Sequence, residues 1–177
     1  HEFLPVLGDY DRDRFRVLVT QEAGDEIGTG LELLRELAEI VKRDKRVRVP
    51  VSELKIAFKC GGSDSLSGVT ANPLCGTVAD RITSLGGSAV LTEVPEMFGA
   101  ETILVNRADS RETFEKVVNL INSFKQYYLD YGQPVYENPS PGNKEGGITT
   151  LEEKSLGCVQ KGGRAVVSDT LDYGEPV

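Results

Sequence analysis

Residues 54–92 constrain the fold more than any other part of this chain. Apolar and polar residues alternate over 54–59, placing Leu54, Ile56 and Phe58 on one face of a strand. Residues 73–85 carry Leu74, Val78, Ile82 and Leu85 at the spacing of one helix face. Gly86 and Gly87 then stop the helix, because glycine enters the left-handed region without a steric penalty. Residues 88–92, Ser-Ala-Val-Leu-Thr, read as a second strand. Strand, loop, helix and strand in about forty residues form a βαβ unit. The class this predicts is α/β, with an open, mostly parallel, Rossmann-like sheet flanked by helices.

The loop inside that unit carries the chemistry. Residues 60–73, Cys-Gly-Gly-Ser-Asp-Ser-Leu-Ser-Gly-Val-Thr-Ala-Asn-Pro, bring together a thiol, a carboxylate, four hydroxyls and an amide. Asn72 suits a helix N-cap and Pro73 the first helical position. A glycine-rich polar loop at a helix start offers backbone N–H groups and a dipole to an anion. The plain alternative is an ordinary strand-to-helix connection.

Bulk properties narrow the partners. The chain has 177 residues, 39% hydrophobic and 27% charged, which is enough for a globular core. A net charge of −8 argues against nucleic acid, whose phosphates need a basic surface. An anionic ligand would need local positive groups, and Lys144, Lys154 and Lys161 lie near one another in sequence. No apolar run reaches membrane-span length, so no membrane partner is expected. Three cysteines without a CxxC pattern suit a reducing, cytoplasmic setting rather than a disulfide framework.

Elsewhere, residues 1–15 read as a lead-in and 16–177 as one α/β domain; His1-Glu2-Phe3 reads as a remnant foreign to the natural chain. Residues 15–20 suggest a strand. Thr29 is placed to cap a helix to about Arg43, with Leu34, Leu37, Ala38 and Val41 on its core face. Its basic end, Lys42 to Arg46, reads as a solvated helix terminus. Residues 95–107 are expected to be helical. Ser110 can cap a long helix to about Tyr131, with Phe114, Val117, Val118, Ile121, Phe124 and Tyr128 inward. Residues 132–147 form a long polar loop, Thr149 or Thr150 starts a short helix, and 165–168 is a last strand.

A second motif, residues 138–158, reads Asn-Pro-Ser-Pro-Gly-Asn-Lys-Glu-Gly-Gly-Ile-Thr-Thr-Leu-Glu-Glu-Lys-Ser-Leu-Gly-Cys. With the first loop, Gln21-Glu22, Glu93-Val94-Pro95-Glu96, Gly99-Ala100-Glu101 and the closing Asp172-Tyr173-Gly174-Glu175-Pro176-Val177, it resembles the altronate and galactarate dehydratase family. The resemblance covers the chain from about Val17 onward and is to the middle region of longer enzymes. It implies a fragment of a metal-dependent hydro-lyase that dehydrates a sugar acid to a 2-keto-3-deoxy acid. After Gly-Gly-Ser-Asp the family carries glycine and an aromatic residue. Ser65 and Leu66 stand here instead, which alters one wall of the pocket.

That chemistry needs a clamp for the carboxylate, a base for the C–H proton and help for the departing hydroxide. The resemblance implies a divalent metal, iron(II), with Cys60 and Glu93 as candidate ligands. Asp64, Lys144 and Glu96 are the candidate catalytic groups. Asp64 could equally be a turn carboxylate, Cys60 a buried thiol, and Glu93 and Glu96 helix-start carboxylates. Gly61, Gly62, Ser63, Ser67, Thr70, Asn72, Asn143 and Lys154 are the candidate substrate contacts. Lys154 would serve as a base if burial lowered its pKa; a helix-surface lysine is the plain alternative. Cys75 and Cys158 read as core residues. The only histidine is His1, so histidine ligands would come from other domains of a parent enzyme; self-assembly stays open. Competing readings are a sulfolactate sulfo-lyase large-subunit domain, a non-catalytic sugar-acid-binding or assembly domain, and a nucleotide-binding module. The last lacks both GxGxxG and GxxxxGK[ST]. A dehydratase should bring both motifs to one cleft at the strand ends.

Overall fold

The structure is a computed structural model and describes residues 9–177. His1, its two neighbours and most of the expected lead-in lie outside the described residues. The chain forms two compact units, His1–Arg48 and Val49–Val177.

In the first unit, Asp11 caps a 3₁₀ turn at Arg12–Arg14, and Arg14 grips both oxygens of Asp44 at 2.6 and 2.7 Å. Helix α1 (Glu26–Val41) starts three residues before Thr29, because Asp25 accepts the Gly28 N–H at 2.9 Å. Its half-buried face runs through Gly30, Leu33, Leu37 and Ile40, whereas Leu34 and Val41 are 62% and 56% exposed. Gly30 on this face lies beside the Leu18 side chain. Residues 15–19 form no strand among the described residues. Lys42 to Arg46 are exposed, as expected.

The second unit holds the βαβ element. Strands β1 (Lys55–Phe58) and β2 (Ser88–Leu91) pair in parallel, Ile56 opposite Ala89 and Phe58 opposite Leu91, and α2 (Ala71–Ser84) connects them. The α/β class is therefore as expected, with a sheet of two strands among the described residues. Ile56 and Phe58 are half-buried, but Leu54 is exposed. Residues 165–168 contribute one parallel bridge, Val167 to Ala108, rather than a strand.

Helix α2 does not bury its leucines. Its inward face is Asn72, Gly76, Ala79 and Ile82; Leu74, Val78 and Leu85 face outward. The reason is close packing. A Cβ on Gly76 would fall 3.0 Å from Gly163 Cα and closer still to the Gln160 carbonyl oxygen. Only a small-residue face lets the helix come that near. Asp80 and Arg107 fix the facing segment: Asp80 Oδ1 accepts the Arg164 and Ala165 N–H groups at 2.6 and 3.0 Å. The Arg107 guanidinium donates to the carbonyls of Gly162, Gly163 and Ala165. Gly86 ends the helix at φ +86, as the sequence indicates.

Residues 94–105 are not one helix. A 3₁₀ turn at Val94–Met97 is followed by Gly99 at φ +91 and then α3 (Glu101–Val105), because the left-handed glycine interrupts the helical path. Helix α4 (Arg111–Asp130) is capped by Ser110, whose hydroxyl accepts the Thr113 N–H. Its Val117 and Ile121 pack with Phe98, Phe124 and Tyr128. Thr113 takes the buried position expected for Phe114, because its hydroxyl donates to Asp109 and the Ser168 carbonyl. The polar segment 132–147 contains a helix, α5 (Pro141–Glu145), started by a Ser140–Asn143 capping box. Thr150 caps α6 (Leu151–Val159), which runs into a 3₁₀ turn at Gln160–Gly162.

Candidate functional site

The carboxyl ends of β1 and β2 supply two walls of the site, and α6 supplies the third. The chain leaves β1 at Cys60. Glu93 follows β2, and the 3₁₀ turn after it presents Glu96. Lys154, Cys158 and Lys161 lie on one face of α6 and its continuation, at spacings of four and three. They meet in one network. The Lys154 ammonium donates to Ser63 Oγ at 2.9 Å and to Cys60 Sγ at 3.1 Å, and pairs with Glu96 Oε1 at 3.1 Å. Lys161 reaches the other Glu96 oxygen at 2.8 Å. Ser63 Oγ lies 3.0 Å from Cys60 Sγ, and Glu93 Oε2 accepts the Cys60 N–H at 2.6 Å. Both lysines are only 4% exposed.

The two sequence motifs interlock around this network. Asn143 Nδ2 donates to the Ser63 carbonyl at 2.9 Å, and Ser65 N–H donates to the Gly146 carbonyl at 2.9 Å. Asn72 does not cap α2, which begins at Ala71 after Thr70; its amide instead donates to the Gly157 carbonyl at 2.9 Å. Pro73 accordingly sits at the third helical position. Asn143→Ala removes the donor to Ser63 and the acceptor for Ser140 inside a buried pocket. It is expected to cost about 1–3 kcal/mol in thermal unfolding. Lys144→Ala, at an exposed position of α5, should leave the midpoint unchanged.

A cavity of 1320 Å³ runs along β2, from Gly86 to Ser88 at its amino end to Glu93 beyond its carboxyl end, with Cys60, Gly61, Gly62, Glu96, Asn143 and Lys154 also among its lining. Ser63, Asp64, Ser67, Thr70, Asn72 and Lys144 do not line it. Asp64 is exposed and organises its own turn: Oδ1 accepts the Leu66 and Ser67 N–H groups and the Ser67 hydroxyl. Thr70 donates to the Leu66 carbonyl. Leu66 is 63% exposed and is also outside the cavity wall.

Electrostatics sort the network. Burial by itself would raise the Cys60 thiol, but hydrogen bonds from Ser63, Lys154 and the Gly62 backbone hold it below the usual thiol value. Burial would likewise raise Glu96, and the two ammonium groups hold it below the usual carboxylate value. Burial would lower Lys154, yet the Cys60 and Cys158 sulfurs and Glu96 keep it above its ordinary value. That direction is the opposite of the lowering a basic role for Lys154 requires. Burial and the nearby Glu96 carboxylate push Cys158 up to about 11.

The donor set does not fit a metal ion. Among the described residues no group of three His, Cys, Asp or Glu side chains comes together to hold one. The Cys60 sulfur already faces an ammonium group, and Glu93 is engaged by a backbone N–H.

Sequence reasoning did not assign Lys161 a place in the site. Its signal was the four-and-three spacing of Lys154, Cys158 and Lys161, matched by the three-residue spacing of Glu93 and Glu96.

Residues 51–177 match a family described as D-galactarate/Altronate dehydratase, C-terminal. The chain is 59% identical over 170 residues to an altronate dehydratase of Bacillus subtilis strain 168, covering 96% of this chain and 34% of the relative. It is 54% identical over 173 residues to an altronate dehydratase of Escherichia coli K12, covering 98% and 35%. A galactarate dehydratase (L-threo-forming) of Escherichia coli K12 is 36% identical over 142 residues, covering 80% and 27%. The chain thus spans about a third of the length of these curated relatives. The matched family residues begin two positions after the start of the second structural unit and contain the whole network around Cys60 and Lys154. The chain belongs to the D-galactarate/altronate dehydratase family.

Proposed function

We propose that this chain forms the substrate site of a hydro-lyase that dehydrates a sugar acid of the altronate or galactarate type to a 2-keto-3-deoxy acid. One observation carries the reading: both motifs meet at the carboxyl ends of two parallel strands, around a buried ammonium–hydroxyl–thiol network whose Cys60, Glu96 and Lys154 line a cavity. The names of the relatives supply the substrate class. In the reaction a proton leaves the carbon beside the carboxylate and its electron pair forms the enol. Hydroxide leaves the next carbon, and the enol becomes a ketone. The Gly61 and Gly62 backbone and Asn143, all lining the cavity, are placed to orient a polyhydroxylated acid. The buried Lys154 ammonium stabilises negative charge as the enolate develops. Glu96, spanned by two lysines, fixes that ammonium in place. A divalent metal of the iron(II) type, in this reading, takes its ligands from parts of a longer enzyme. Three free cysteines suit work in a reducing cytoplasm. No helix among the described residues is long and apolar enough to cross a membrane.

The test is anaerobic calorimetric titration of this chain with D-altronate, galactarate and sulfolactate, with and without ferrous iron. Binding of a sugar acid is the expected result. Binding of sulfolactate alone would turn the reading to a sulfo-lyase, and binding of none would overturn a substrate site within this chain.

A further inference from the structure

We propose that the outer edge of β2 receives an extended segment from the part of a parent enzyme that this chain does not cover, and that the segment adds a strand to the sheet. The inference rests on family membership and strand geometry and is independent of the reaction. It begins with the register. Ser88 N–H donates to the Leu54 carbonyl at 2.9 Å, and Thr92 N–H donates to the Phe58 carbonyl at 3.3 Å. Alternate residues of a parallel ladder face the same neighbour, so the backbone of Ser88, Val90 and Thr92 turns toward β1. The N–H and carbonyl groups of Ala89 and Leu91 point away from it. Among the described residues nothing hydrogen-bonds them. The sheet ends at β2, and the isolated bridge joins Ala108 to Val167 instead.

That edge is not a solvent edge. β1 alternates exposed and half-buried residues, whereas all four residues of β2 are half-buried, the pattern of an inner strand. The cavity runs along β2, and Val117, Leu120 and Phe124 of α4 line it together with Val167. Half-buried donors and acceptors beside an apolar recess need a hydrogen-bonding partner. Strand addition supplies one, with main-chain bonds for the edge and alternate side chains for the recess. At about 3.3 Å per residue, the length from Ser88 to Glu93 takes a segment of about six residues.

Shape, charge and length identify the occupant. A second copy would offer an identical recessed edge, and two recesses cannot fill one another. An acidic segment does not suit the cavity. Its basic side chains, Arg107 and Lys154, are engaged within the chain, and Glu93, Glu137, Asp169 and Asp172 also line it. The segment is therefore apolar and free of carboxylates. The relatives have the chain to supply it: this one covers 34% and 35% of the two altronate dehydratases, leaving about two-thirds of their length outside. Whichever way it runs, a strand beside β2 has one end next to Glu93, so it brings further residues to the site at the strand ends.

The test is amide hydrogen exchange, read residue by residue by mass spectrometry with electron-transfer fragmentation. It compares this chain with the full-length altronate dehydratase of Bacillus subtilis strain 168. In this chain the Val90 amide should exchange slowly and the Ala89 and Leu91 amides fast. At the aligned positions of the longer enzyme, the latter two should slow by roughly a hundredfold or more. Equal rates in the two proteins would overturn the proposal. Slow exchange of Ala89 and Leu91 in this chain by itself would overturn it as well, since the edge would then be paired within one copy or between two. A proline arm separates an added strand from any other cover. Ala89→Pro deletes only an outward N–H, which a free edge tolerates. Its counterpart in the longer enzyme should lower the unfolding midpoint by several degrees, while the midpoint of this chain stays nearly unchanged. Val90→Pro should lower both. An equal shift from Ala89→Pro in the two proteins would rule out the added strand.

Discussion

Gly76→Val is expected to unfold this chain at a markedly lower temperature. The new Cβ would sit 3.0 Å from Gly163 Cα, 3.1 Å from Gly163 N and nearer still to the Gln160 carbonyl oxygen. All three are backbone atoms, so no side chain can swing aside. Helix α2 must therefore move away from the segment that Asp80 and Arg107 hold, or that segment must move instead. Either movement opens the Asn72–Gly157 hydrogen bond and the Gly68–Gly157 contact, where a Cβ on Gly68 would lie 3.3 Å from Gly157 Cα. Overpacking of this kind costs about 3 kcal/mol or more, which is roughly 6–12 °C in a chain of this size. Gly142→Ala is the control. Nothing lies within 4 Å of its Cβ position, and the change should be neutral or stabilising by less than about 1 kcal/mol. Thermal unfolding followed by circular dichroism measures both. An unchanged midpoint for Gly76→Val would disprove the close packing of α2.

Lys154→Met is the second large effect, and it acts through charge. Methionine fills the volume but leaves Glu96 Oε1, Ser63 Oγ and Cys60 Sγ without their donor. Breaking a buried pair by removing one partner costs about 3–5 kcal/mol. The lower end is expected here, because Lys161 still holds Glu96. Lys42→Met removes a pair with Glu39 in which both side chains are about two-thirds exposed, and should cost less than about 0.5 kcal/mol. The pH dependence gives an independent check. Glu96 titrates lower in the folded chain than in the unfolded one, so its stabilisation is present above the usual carboxylate pKa. It is lost as pH falls from there toward the depressed folded value. In Lys154→Met that depression shrinks, so the acid-side loss of stability should be shallower than in the intact chain. Equal acid slopes would mean that Lys154 does not hold Glu96.

The βαβ unit, the Ser110 and Thr150 caps and the Gly86 stop were legible because each depends on a few neighbouring residues. The inward face of α2 was not. The leucines gave the stronger periodic signal, but the neighbouring segment packs so near that only Asn72, Gly76 and Ala79 fit. The same holds for the start of α1, where Asp25 competes with Thr29 for the cap and wins by reaching the Gly28 N–H.

The candidate site divides along the same line. Cys60, Ser63, Glu96, Asn143 and Lys154 could be selected from two unusual motifs and a family resemblance, without coordinates. Asp64 and Lys144 come from those same motifs, yet one organises its own turn and the other stands exposed on α5. The sequence by itself determined the strand–helix–strand unit, the family and the pool of chemically able residues, since these are local or motif-borne. Tertiary structure alone decided which of them share a cavity wall and which carboxylate the two buried lysines share. Burial, donor count and Coulomb energy depend on atoms up to a hundred residues apart in sequence, brought within hydrogen-bond reach only by the fold.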